Sequence, residues 1–234
     1  MAATNSTTFP IAVPSERRST RDLAELMIGF TLIMLVLWLP TREQLMVGPI
    51  ALLVPLVLTL LRPARREELG LSWRGLVRSL WILLASAALT FASVLVARAA
   101  GTYHPLYQAD LGHVGGYVLW TIYQQFLLQC YFMPRLTRVL TSDGAIAAAG
   151  VLFAVAHLPN IPLVLATLMW GVASCWLFRR YRSLWVLGLA QGLLGLCFAV
   201  CVPDAMIHHM RVGLGYLRYH GRAAGQARPV VSGR

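Results

Sequence analysis

Seven apolar runs in series, separated by short polar stretches, limit this chain more than any other feature of its sequence. They cover residues 23–39, 45–61, 76–100, 114–133, 145–158, 163–178 and 184–202. A helix of about 20 mostly apolar residues crosses the hydrocarbon core, and only a helix or a closed barrel satisfies its own backbone there. The runs therefore predict an all-α, polytopic transmembrane helical bundle with about seven or eight membrane helices. A water-soluble fold is excluded by composition. The chain is 58% hydrophobic and 12% charged, with a mean hydropathy of +0.65, whereas soluble domains carry about 25% charged residues. Pro40, Pro134 and Pro159 stand at the ends of runs, where a residue that cannot continue a helix belongs.

The charges lie between the runs. Net charge is +11 and every basic side chain other than histidine is arginine. A nucleic-acid binder would gather these on one soluble face, so no nucleic-acid partner is expected. Instead they read as orientation signals beside the lipid bilayer. With Arg17, Arg18 and Arg21 cytoplasmic, successive crossings put 62–74, Arg135 with Arg138, and Arg179, Arg180 and Arg182 on the same side. The arginines after the seventh run would then fall outside, so an eighth element over about 204–219 is expected to return across or into the membrane. The predicted organisation is a flexible cytoplasmic tail over 1–22, one transmembrane domain over 23–219 and a disordered basic tail over 220–234. Cys130, Cys175, Cys197 and Cys201 form no CxxC pair and read as small buried hydrophobes.

Polar side chains inside apolar runs mark either a site or helix-to-helix hydrogen bonding. They concentrate in three runs: Gln124, Gln125 and Gln129 in the fourth, His157 ending the fifth, and Gln191 in the seventh. Gln125 and Gln129, four apart, share a helix face, while Gln124 points about 100° away. Three runs offering polar groups at similar depth predict a shared internal cavity.

The order and spacing of these residues resemble the CPBP family, which includes the CAAX prenyl protease type and bacteriocin-processing membrane proteins. That family shows EExxxR, then FxxxH, then HxxxN or HxxxD. The corresponding stretches are QQFLLQ (Gln124 to Gln129), FAVAH (Phe153 to His157) and QGLLG (Gln191 to Gly195), within a resemblance covering about residues 66–200. Only FxxxH matches fully. The resemblance implies an intramembrane endopeptidase scaffold acting on a membrane-anchored or prenylated peptide. Its catalytic positions fall on His157, Gln124, Gln125 and Gln191, with Gln129, Phe153 and Asn160 around the substrate.

The substitutions bear on chemistry. An amide cannot take a proton from water, and general-base assistance is worth about 10²- to 10⁴-fold. Glutamate and arginine have both become glutamine, which keeps a buried network neutral. Two readings follow: a divergent protease centred on His157, or a pseudoprotease that binds a peptide or partner helix. A small transporter is disfavoured because no charged residue marks an ion path through the runs. Eight of the nine acids are expected in tails, loops or helix ends. The ninth, Asp204, would share a face with His208 on a helix starting at Pro203, and with His157 could hold a divalent metal such as zinc. The alternative is an interfacial helix capped by Asp204.

Overall fold

The structure, a computed structural model, describes residues 16–62, 66–106 and 109–219. Seven helical stretches occupy the seven apolar runs: α1 (Glu16–Trp38), α2 (Thr41–Leu60), α3 (Trp73–Ala99), α4 (Leu111–Phe126) with its continuation, α6 (Ser142–Val155), α7 (Ile161–Tyr181) and α8 (Leu184–Cys201). The continuation of α4 is a π-helical turn, Leu127–Phe132, followed by α5 (Met133–Leu136). Among the described residues there is no β-strand, only an isolated bridge pairing Leu71 with Ser183.

Four of these helices, α2, α3, α7 and α8, are long and apolar enough to cross a membrane. The remaining three runs form helices at the expected places but do not reach that standard, α1 because its first turns are charged and α4 and α6 because they are short. α1 already begins at Glu16, inside the stretch expected to be a flexible tail. Residues 1–15 and the expected basic tail over 220–234 lie outside the described residues.

Helix starts follow their capping residues. Ser72, Asp110, Thr141 and Asn160 each accept a hydrogen bond from the backbone N–H three residues on, satisfying a donor the first turn leaves open. Packing follows the small residues. α4 and α8 meet where a Cβ on Gly188 would lie 2.8 Å from Ile122 Cα, and Thr121 Oγ1 donates to Gly188 O at 2.9 Å. α6 and α7 meet at Gly150 and Gly171, where a Cβ on Gly171 would come within 3.0 Å of Gly150 Cα. Small residues let helix backbones approach where hydrophobic burial supplies no drive.

At one end of the bundle two acids of α1 gather arginines from three other places. Asp22 and Glu25 are buried. Arg135 Nη2 lies 2.6 Å from Glu25 Oε2, and Arg62 reaches both acids at 2.6 and 2.7 Å. Arg138 adds a 3.1 Å contact to Asp22. The Tyr131 hydroxyl donates to Glu25 O, and the Arg135 guanidinium stacks 3.8 Å over the Tyr131 ring. These two acids were expected at an exposed helix end, and Arg135 only as an orientation signal; instead they form a buried ionic cluster that fastens α1.

The eighth element expected over 204–219 is a series of short turns rather than one crossing helix. After α8 the chain makes α9 (Asp204–Ile207), a 3₁₀ turn (His208–Met210) and α10 (Gly213–Leu217), none long enough to cross a membrane. His208 takes φ 47 and ends α9, so Asp204 and His208 do not share a helix face.

Candidate functional site

The polar residues of α4, α7 and α8 meet in one hydrogen-bonded chain. Gln129 Nε2 donates to Gln125 Oε1 at 3.0 Å, Gln125 Nε2 to Gln191 Oε1 at 2.6 Å, and Gln191 Nε2 to Gln124 Oε1 at 2.5 Å. Trp170 Nε1 also donates to Gln191 Oε1, at 3.1 Å. Ser174 Oγ lies 3.5 Å from Gln125 Nε2 and 3.3 Å from Gln129 Nε2, and donates to Gly171 O. Gln125 and Gln129 are fully enclosed, and Gln129 Oε1 accepts no hydrogen bond among the described residues. The four-residue spacing places Gln125 and Gln129 together. The one-residue step sends Gln124 to the neighbouring wall of a cavity.

That cavity has a volume of about 850 Å³ and lies between α1, α2, α4, α6, α7 and α8. Its walls are mainly apolar and aromatic, with Gln124, Gln191, His157, Trp170, Tyr117 and Tyr123 among the polar exceptions. Among the described residues no carboxylate and no arginine lines it. His157 Nδ1 lies 2.7 Å from Phe153 O. A carbonyl only accepts, so Nδ1 carries the proton and Nε2 keeps its lone pair. Phe153 packs edge-on against the same ring, with centroids 4.9 Å apart.

The expected site residues divide. Gln124, His157, Gln191 and Phe153 line the cavity, while Gln125 and Gln129 stand behind Gln124 and Gln191. Asn160 lies off the cavity wall. Its Oδ1 caps α7, and its Nδ2 donates to Ile207 O and Arg211 O at 2.8 and 3.1 Å, so it fastens chain to chain. At Gly195, where the family pattern carries Asn or Asp, a Cβ would fall 2.0 Å from the Tyr117 hydroxyl. Tyr117 occupies the space a side chain there would need.

The metal reading is corrected. Among the described residues no group of three or more His, Cys, Asp or Glu side chains could hold a metal ion, so His157, Asp204 and His208 do not form the three-ligand site. Asp204 is occupied locally, accepting from the His209 N–H and the Tyr219 hydroxyl, each at 2.6 Å. Partial burial pushes the Asp204 carboxyl up, but these hydrogen bonds outweigh it and hold the carboxyl below its ordinary value. His208 stacks on Tyr216, with centroids 4.1 Å apart.

Sequence reasoning missed Ser174, Trp170 and Tyr117. Ser174 carried a faint signal as a hydroxyl within the sixth apolar run. Trp170 and Tyr117 read only as aromatic lining.

A helical membrane-type bundle whose polar groups converge beside an enclosed apolar cavity defines the class. Residues 112–197, from the start of α4 through most of α8, match the family model described as Type II CAAX prenyl endopeptidase Rce1-like. The resemblance to the CPBP family carried by FAVAH and its flanking motifs therefore holds over this segment. No curated protein matches the chain, and no solved structure does.

Proposed function

We propose that this chain is a CPBP-type intramembrane scaffold that takes a membrane-anchored or lipid-modified peptide into the cavity and holds it without cutting it. One observation carries the reading: every motif position that would supply a carboxylate or a cation has become an amide or a glycine, and the cavity lining holds no acid. The amides bond to one another, and an amide cannot take a proton from water. An apolar cavity of about 850 Å³ suits a hydrocarbon chain, with Gln124 and Gln191 as hydrogen-bonding partners for a peptide group.

The His157 lone pair favours a second reading, in which Nε2 alone serves as general base for peptide hydrolysis. The deciding experiment incubates the purified protein in lipid nanodiscs with a prenylated peptide library bearing a photoreactive group. Crosslinks to α4, α7 or α8 with every peptide intact by mass spectrometry are expected. Cleavage that His157→Ala abolishes would replace the binding reading with the hydrolytic one, and absence of both crosslinking and cleavage would overturn both.

The same proposal sets the chain across the membrane seven times with its N-terminus cytoplasmic. It is supported by the ionic cluster, which draws the start of α1, the end of α2 and α5 to one end. Val200, Leu158 and Leu37 all reach the opposite end. We assign residues 23–219 to one domain on the same grounds.

A further inference from the structure

The chain leaves α8 at Val202 and turns back over the end of the bundle away from the Asp22–Glu25 ionic cluster. Val202, Met210 and Val212 face the cavity, so this segment makes one of its end walls. Its ties to the bundle include His104 Nε2, 2.9 Å from Val202 O, and the buried Ile207. Asn160 Nδ2 holds the carbonyls of Ile207 and Arg211, and Gly213 N donates to Leu158 O at 2.7 Å. A Cβ on Gly213 would lie 2.1 Å from Leu37 O, so the strap lies directly on the end of α1. Asp204, His209 and Tyr219 bind one another within it.

Against these ties stands the backbone. His208, His209 and Met210 have φ values of 47, 54 and 56. Three consecutive residues with side chains thus occupy the left-handed region, which disfavours them and persists only where surrounding contacts impose it.

We infer that residues 202–213 are a strained strap gating the aqueous end of the cavity. With the Asn160 and Gly213 hydrogen bonds made, Met210 and Val212 close the wall. When those bonds break, the His208–Met210 turn relaxes to ordinary backbone angles, the two side chains withdraw, and water reaches the cavity. The binding reading supplies what enters, but the gate itself is read without any ligand.

Cys197 is the reporter. Of the cavity-lining residues only Cys197 and Cys201 are cysteines, so Cys201→Ser leaves a single thiol on that wall. The full chain in lipid nanodiscs is treated with a permanently charged methanethiosulfonate reagent, which cannot enter through lipid, and modification of Cys197 is timed by mass spectrometry. Asn160→Asp is the informative variant. It keeps an oxygen to cap Leu163 N–H while replacing the donor to Ile207 O and Arg211 O with an oxygen that repels both carbonyls. The rate at Cys197 should rise about tenfold or more, as loss of two hydrogen bonds requires of a two-state equilibrium. Tyr219→Phe, which removes the hydroxyl bonded to Asp204 and His209, should raise it less, by about fivefold.

Rates within roughly twofold of the parent in folded variants would overturn the gate. Should Asn160→Asp fail to fold, Tyr219→Phe decides by the same criterion. A gate that fails leaves peptide crosslinking in the cavity intact, whereas a failed binding reading leaves the acceleration at Cys197 intact.

Discussion

Gln125 sits within the amide network, bonding Gln129, Gln191 and Ser174 while wholly shielded from solvent. Restoring only the carboxylate of the family pattern there should be harmful. Gln125→Glu places a charge among amides with no cation beside it, and detergent-solubilised protein should lose about 3 kcal/mol or more of stability in thermal unfolding. Adding Gln129→Arg should recover most of the loss, the double variant exceeding the sum of the single ones. The shared face of Gln125 and Gln129 was legible in the sequence because a spacing of four on a helix fixes it. Their partners were not. That Trp170 and Ser174 rather than another residue of the sixth run reach Gln191 and Gln125 depends on how α7 is rotated against α4 and α8, and no local pattern encodes that rotation.

Among the elements, α1 and the strap departed furthest from expectation. The apolar runs located all seven helices, within a few residues except at the start of α1, which begins seven residues before its run, because long apolar runs ended by proline, glycine or arginine leave little choice. They could not reveal that Asp22 and Glu25 belong to the core, since apart from Arg21 their arginine partners lie 37 to 116 residues away. Glu25→Ala should cost about 3 kcal/mol in thermal unfolding by leaving Arg135 buried without a counter-charge. Arg138→Ala, whose side chain is half exposed, should cost about 1 kcal/mol or less. At the α4–α8 contact, Gly188→Ala should destabilise by about 1–3 kcal/mol, because the added methyl meets the backbone of Ile122. The strap has a pH dependence of definite sign. Asp204 binds its proton less readily folded than unfolded, so its contribution is present above the ordinary carboxylate range and disappears as pH falls through the folded-state value. Hydrogen exchange should find the Gly213 N–H protected at neutral pH and markedly less so near roughly pH 3. An eighth element was expected over 204–219 because the arginines after the seventh run would otherwise lie outside. Contacts with Asn160 and Leu158 hold the strap at the end of the bundle instead.

For the molecule as a whole, the proposed orientation predicts that a cysteine introduced at Arg66 reacts only with reagent supplied from the cytoplasmic side. One introduced at His104 should react only from the other side. Labelling that reversed this pattern would overturn the topology. The ionic cluster also sets an order of events during synthesis. Among the described helices α1 is made before the others and carries Asp22 and Glu25, yet Arg135 follows Glu25 by 110 residues. Until that arginine is made, the two acids have only Arg21 and, later, Arg62 to neutralise them, and α1 has no buried counter-charge to dock against. Among the described helices, α1 is therefore expected to complete its ionic contacts only after α5 has been made. A nascent chain arrested before Met133 should leave α1 loosely held and sensitive to protease, and release of α5 should protect it.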